Sequence, residues 1–231
     1  SLSGTLSGGA GADSLIGPDT ATTFNVTGVD AGNVTGGSTI PDFQSFENLT
    51  GGADNDTFDV AANLSGNIDG GAGTEDTLDL EAGVTIGGTV INVENVNLTV
   101  NGTGNADDIV IRRTSGVLEA VVNGSVSQFF TPVGALNISL TVDGLGDTDT
   151  LTLDYASGGL PDEITFDNGE AVRVLGSGTE SVTFSDTPDP VTGQREVTLT
   201  GGAVPQRVLV DTGALYELQA FNSVTVTSAG T

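Results

Sequence analysis

The chain has 231 residues, 31 acidic and five basic side chains, a formal net charge of −26, and no Lys, His, Cys, Met or Trp. A face this acidic excludes nucleic acid and anionic membrane as partners, since both need basic groups, whereas carboxylates suit hard cations such as calcium. Without Cys there are no disulfides or thiolate metal sites. Without His, Cys and Lys the usual bases that activate a nucleophile are missing, so no enzyme is expected.

The five basic residues are Arg112, Arg113, Arg173, Arg195 and Arg207. Arg112 and Arg113 are expected to serve neighbouring carboxylates. No apolar run approaches a membrane span. No leader segment is visible and the first residue is not Met, so a mature piece or a segment of a longer protein is expected. The composition fits an extracellular or cell-surface location.

Helical periodicity is absent, and short β-branched runs bounded by Gly, Asn and Asp predict strands throughout. Residues 1–90 are punctuated by Gly8-Gly9, Gly36-Gly37, Gly51-Gly52, Gly70-Gly71 and Gly87-Gly88, read as turn markers of successive coils, with strands at Thr57–Val60 and Thr77–Leu80. Residues 91–231 carry a stricter repeat. Asn97-Leu98-Thr99-Val100 returns 42 residues later as Ser139-Leu140-Thr141-Val142, again as Ser181-Val182-Thr183-Phe184, and again as Ser223-Val224-Thr225-Val226.

In the first 42-residue unit the strands are expected near 96–100, 108–113, 117–122 and 125–130. Later strands are expected at Ile138–Val142, Thr150–Leu153, Val172–Leu175, Val197–Leu199, Val208–Val210 and Val224–Val226. Asn101-Gly102, Asn123-Gly124, Asp143-Gly144 and Asn168-Gly169 supply the positive φ of tight turns. Each unit reads as two coils of about 21 residues, a solenoid rung length. The expected fold is all-β, a parallel β-solenoid with Val, Ile and Leu stacked in a narrow core and Thr, Asn and Asp outside. A slim core leaves little room for aromatics. Tandem β-sandwich domains are the alternative.

Gly8-Gly9-Ala10-Gly11-Ala12-Asp13-Ser14-Leu15 matches the pattern G-G-x-G-x-D-x-U. Gly51–Phe58 replaces its third Gly. Gly70–Leu78 and Asp143–Leu151 each carry one extra residue, and Asn101–Ile109 is a looser echo. With Phe46-Glu47-Asn48-Leu49-Thr50-Gly51-Gly52 and Ile68-Asp69-Gly70-Gly71-Ala72-Gly73, these stretches resemble the β-helix repeats of giant bacterial adhesins and haemagglutinins. The calcium-binding repeats-in-toxin family is a near relative in motif. The resemblance covers most of residues 1–100 and, more weakly, the rest. It implies a surface protein with calcium at Asp13, Asp56, Asp76, Asp107 and Asp149. That chemistry needs nonapeptides in direct tandem. Here the aspartates lie 20 to 43 residues apart, so coil stacking would have to bring the turns together. The preferred reading is that Gly makes each turn and Asp caps it by local hydrogen bonds. No cofactor is then required.

Nine of fifteen Asn stand in N-x-S/T sequons: Asn25, Asn33, Asn48, Asn55, Asn63, Asn97, Asn101, Asn123 and Asn137. Chance predicts about four. They are glycosylation candidates, although Asn and Thr on alternate outward strand positions produce the same pattern without sugar. Paired carboxylates could cleave polysaccharide, but only Tyr155 and Tyr216 could form an aromatic sugar platform. The expected function is a structural or adhesive module of a surface fibre, sheath or S-layer. Its chief partner is itself, end to end or laterally, with glycans or cell-surface ligands as further partners. A terminal segment that stops within a strand and turn, Val224–Gly230, points the same way. A calcium-dependent binding module is the second class and a polysaccharide-active enzyme the third.

Overall fold

The computed structural model describes residues 4–37, 39–129, 137–156, 158–161 and 163–176, and later strands at 181–188, 195–200, 206–210, 215–219 and 223–228. Every regular element among them is a β-strand. Of the expected segments, Phe130, Ala229 and Gly230 lie outside the described residues. The chain divides into two compact units, Ser1–Leu98 with Phe129–Ile138, and Thr99–Gln128 with Ser139–Thr231.

The first unit contains β1 (Thr5–Ser7), β2 (Ser14–Ile16), β3 (Thr22–Gly28), β4 (Ala31–Gly36), β5 (Ile40–Gln44), β6 (Asn48–Thr50), β7 (Thr57–Val60), β8 (Ile68–Asp69), β9 (Thr77–Glu81), β10 (Val90–Ile91) and the start of β11 (Asn95–Asn101). One strand order runs β1-β5-β4-β3-β7-β9, another β10-β8-β6-β2. Parallel registers set like on like. Phe24 faces Phe58 and Phe58 faces Leu78, while Val26 faces Val60 and Val60 faces Leu80. In the other sheet Leu15, Leu49, Ile68 and Val90 follow in line.

The chain advances 20 residues from Phe58 to Leu78 and 22 from Ile68 to Val90, but 34 from Phe24 to Phe58. The longer step holds the antiparallel strands β4 and β5. Alternation then decides burial. Phe58 and Val60 of β7 are fully enclosed while Asp59 between them is exposed.

The second unit contains β12 (Asp108–Thr114), β13 (Val117–Val122), β14 (Ser125–Gln128), β15 (Asn137–Asp143), β16 (Thr150–Asp154), β17 (Glu163–Asp167), β18 (Ala171–Leu175), β19 (Ser181–Pro188), β20 (Arg195–Thr200), β21 (Gln206–Val210), β22 (Leu215–Gln219) and β23 (Ser223–Ser228). Their orders are β15-β17-β21-β20-β19-β23 and β14-β13-β12-β16-β18-β22. The 42-residue period is a ladder step at Ile109 to Leu151 and at Val182 to Val224. It is not one at Ser139 to Ser181: Leu140 faces Ile164, and Ile164 faces Val208. Antiparallel excursions account for the difference. One is β13–β14, turned at Ser115-Gly116 (φ 52° and 86°) and Asn123-Gly124 (φ 51° and 82°). Such pairs supply the primed turns whose twist suits hairpins.

The few aromatics are central to the core. Phe24, Phe43, Phe58 and Phe166 are fully buried. The rings of Phe24 and Phe58 stack at 5.0 Å with planes 7° apart. Replacing Phe58 by Ala should cost about 3–5 kcal/mol, because both rung neighbours lose contacts and the cavity cannot collapse. Phe58→Leu, which copies the neighbouring rung at Leu78, should cost less than about 1.5 kcal/mol. Urea unfolding of the two variants measures the difference.

Candidate functional site

Eight carboxylates occupy one position in the strand pattern. Asp13, Glu47, Asp56, Asp76, Glu94, Asp107, Asp149 and Glu170 each stand two residues before a buried apolar residue: Leu15, Leu49, Phe58, Leu78, Val96, Ile109, Leu151 and Val172. At that corner the chain turns into a strand and leaves a backbone N–H that the parallel ladder does not use. The carboxylate one rung on accepts it. In the first unit the N–H of Thr22 donates to Asp56 (2.8 Å), that of Asp56 to Asp76 (2.7 Å) and that of Asp76 to Glu94 (2.9 Å), while Asp13 donates to Glu47 (2.7 Å). In the second unit Asp107 donates to Asp149 (2.7 Å) and Asp149 to Glu170 (2.6 Å).

Each of these rows ends in Glu. Glu47, Glu94 and Glu170 follow short corners whose residue two positions earlier is left-handed: Ser45 (φ 58°), Asn92 (φ 53°) and Asn168 (φ 53°). The aspartates instead close the Gly-rich corners, and the first glycine of each corner is there for space. A Cβ on Gly51 would lie 2.4 Å from Asp56 Oδ2 and 2.2 Å from the Gly70 carbonyl. One on Gly144 would lie 2.3 Å from Asp149 Oδ2 and 2.5 Å from the Asn168 carbonyl.

The second carboxylate oxygen separates two kinds of corner. Asp56 Oδ2 accepts the Gly52 N–H at 2.6 Å, and Asp107 Oδ2 accepts the Thr103 N–H at 2.5 Å. Asp107 Oδ1 also accepts from the Thr103 hydroxyl and the Asn123 amide. In Asp13, Asp76 and Asp149, by contrast, Oδ2 is buried without a partner. In those three corners the equivalent of Gly52 is left-handed: Gly9 (φ 104°), Gly71 (φ 98°) and Leu145 (φ 67°). Its N–H is turned away. For Gly71 and Leu145 it goes to Asp69 and Asp143, at 3.1 and 2.9 Å. Both belong to the corners with one extra residue.

The two kinds of corner titrate in opposite senses. The Thr103 N–H, aided by the side chains of Asn123 and Thr103, holds Asp107 below the ordinary carboxylate range, against the pull of burial. Burial pushes Asp76 and Asp149 up, opposed by the N–H each accepts. Neighbouring carboxylates reinforce the rise: Glu94, Asp56 and Asp69 around Asp76, and Asp107, Glu170 and Asp147 around Asp149.

All five aspartates singled out as calcium candidates therefore belong to corner rows. Among the described residues no three Asp, Glu, His or Cys side chains form a group that could hold a metal ion. The sequence reading missed Glu47, Glu94 and Glu170, which lack the glycine pattern. The signal that could have found them is positional: an acid two residues before the first inward apolar residue.

Five of the sequon asparagines, Asn48, Asn55, Asn63, Asn97 and Asn137, bridge segments 18 to 42 residues apart, while Asn25, Asn33 and Asn123 bond within hairpins. Asn48 Oδ1 accepts from the Asn67 amide at 2.8 Å, and Asn67 Oδ1 from the Thr89 N–H at 2.8 Å. The side-chain amides of Asn25, Asn97 and Asn137 donate to Asn33, Asp79 and Asn95. Asn55 and Asn63 accept the backbone N–H groups of Thr74 and Thr85. Asn123 donates to Asp107 and accepts from the Asp108 N–H, whereas Asn101 is exposed at the end of β11.

Of the arginines, Arg112 pairs with Glu119 at 3.1 Å and Arg173 with Glu217 at 2.9 Å. No protein-family model, curated protein or solved structure matches the chain.

Two consequences can be measured. Gly144→Ala should cost about 1–3 kcal/mol in urea unfolding, because the added methyl meets a carboxylate and a carbonyl rather than a yielding side chain. The pH dependence follows from the raised pair. A folded-state pKa above the unfolded one means that the folded chain binds the proton more tightly. Asp76 and Asp149 therefore add stability as the pH falls toward the ordinary carboxylate range, and that contribution is lost as the pH rises through their folded values. The double variant Asp76→Asn/Asp149→Asn, which removes the two buried charges while the amide oxygen still accepts the N–H of Asp56 or Asp107, should raise the neutral-pH urea midpoint and flatten its rise on acidification. Asp107, shifted the other way, loses its contribution as the pH falls through its lowered value, so Asp107→Asn should lower the neutral-pH midpoint.

Proposed function

We propose that this chain is a structural or adhesive repeat module working outside the cell, in which stacked β-solenoid coils form a stiff body that associates with further copies. The observation that carries this reading is the side-chain row. Carboxylates join corner to corner through Asp56, Asp76 and Glu94 in one unit and through Asp107, Asp149 and Glu170 in the other. Asparagines do the same on the outside, from Asn48 through Asn67 to Thr89. Each rung is tied to the next by buried, charge-assisted bonds as well as by its ladder, which suits a mechanical element. Parallel registers support stacked coils over sandwiches, whose sheets are antiparallel. Glycans and cell-surface ligands are the partners this reading allows.

Electron microscopy and sedimentation velocity test it. The expected outcome is elongated particles that form end-to-end or lateral assemblies as concentration and salt rise. Compact particles that stay monodisperse and monomeric across that range, with calcium present, would overturn it.

A further inference from the structure

Charge is distributed unevenly along the chain. From Ile109 to Val142, 34 residues contain a single carboxylate, Glu119, although 31 acids in 231 residues would place about four or five there. That carboxylate is buried and accepts from Arg112 Nε (3.1 Å), the Thr114 hydroxyl (2.7 Å) and the Gln128 amide (3.1 Å). Arg113 donates to the carbonyls of Gly116 and Gly159 and makes no ion pair among the described residues. The β12–β13–β14 segment, with Asp108 and Glu119 against Arg112 and Arg113, is thus neutral in a chain of net charge −26.

This segment also ends in an open edge. β14 is the outermost strand of its sheet, and its outer backbone groups have no ladder partner among the described residues. Its residues, Ser125-Val126-Ser127-Gln128, include no charge and no proline. Charge and proline are the usual devices that keep an edge from pairing with another chain. On the solvent face the registers line up Val126, Val121 and Val110 in one row, and Val126 at the edge is 53% exposed. By contrast, β22, at the other side of the same sheet, carries Glu217.

We infer that β14 is an interface for a second copy of this chain, which adds its own β14 antiparallel to this edge and continues the valine row across the contact. The self-association proposed above supplies the occupant, and charge selects where it sits. Two copies of so acidic a chain repel each other over most of their surfaces, and this edge is where they meet without opposing carboxylates. Antiparallel addition continues the pairing already made by β12, β13 and β14. It also gives a two-fold contact in which one patch serves both partners. Sequence-independent bonds from the strand edge supply affinity, and the valines supply register. The inference gives the self-association proposed above a specific surface.

The absence of native cysteine makes the test clean. Val126→Cys should cross-link into a covalent dimer under mild oxidation, at least about ten-fold faster than Val29→Cys, an exposed position on the other unit, because pairing raises the effective thiol concentration. In sedimentation equilibrium the dimer fraction of the wild type should rise with salt, as screening weakens the repulsion between copies. Val126→Asp should leave a monomer. Equal cross-linking at the two positions, a wild type that stays monomeric as salt is raised, or a dimer that survives Val126→Asp would overturn the inference. The cysteine readout keeps it testable if Val126→Asp frays β14. Fibres formed equally well by Val126→Asp would leave the structural-module reading standing and remove this interface. A Val126-dependent dimer without larger assemblies would do the reverse.

Discussion

A backbone N–H at each corner, where the chain turns into a parallel strand, is the group on which the architecture depends. Parallel strands pair through evenly spaced bonds along their length, and the residue just before the strand falls outside that pattern. Left alone in the interior, its donor would cost about 1–3 kcal/mol. The chain meets this with one carboxylate per rung, reaching from each corner to its neighbour. To get there the carboxylate must lie flat against the backbone of its own turn, in the space a Cβ on Gly51 or Gly144 would occupy. Glycine, aspartate and the inward apolar residue two places on are thus one device.

The device comes in two forms, and the difference is a single backbone rotation. Where Gly52 and Thr103 stay out of the left-handed region, their N–H groups turn inward and the carboxylate is fully used. Where Gly71 and Leu145 take positive φ, one extra residue has lengthened the corner and the N–H goes to Asp69 or Asp143. The orphan oxygens of Asp13, Asp76 and Asp149 go with the left-handed residue of the corner, since Gly9 leaves Asp13 in the same state without an insertion. Asp76 and Asp149 each sit between two further carboxylates of their row, where burial and like charge act together. Part of the chain's acidity is therefore structural. Among the described residues eight acids stand at corners of this kind, so the charge is not a solvated coat alone.

Strands and glycine corners were legible in the sequence because both are local: alternation fixes which residues face inward, and glycine marks close approach. The reading of Asp as a cap at Gly-made turns anticipated the bonds of Asp56 and Asp107 to their own corners. It did not anticipate the bonds between distant corners, in which Asp56 accepts the Thr22 N–H, Asp76 the Asp56 N–H and Asp149 the Asp107 N–H, 34, 20 and 42 residues apart in sequence. The glutamates that end the rows were invisible to a search keyed to glycine. The 42-residue period was visible but ambiguous. An interval between matched strands does not say whether the two are ladder neighbours or are separated by antiparallel strands. Ile109 reaches Leu151 after the β13–β14 detour, whereas Ser139 and Ser181 share a period without sharing a ladder. The sequons carried a related ambiguity, because most of the asparagines that suggest sugar attachment are engaged in bonds between strands or within hairpins.

Set beside the acidic corners, the stretch from Ile109 to Val142 is their complement. Corners require carboxylates because each must satisfy a backbone donor. A hairpin excursion requires none, because β12, β13 and β14 satisfy one another through antiparallel ladders and turns at Ser115-Gly116 and Asn123-Gly124. Freed from that demand, the excursion can be uncharged, and its one acid can be neutralised by Arg112. The rows thus tie neighbouring strands together and carry part of the chain's negative charge. On the self-association proposed above, copies meet where an excursion strand is exposed, because the corner chemistry that makes the rows acidic leaves that strand uncharged.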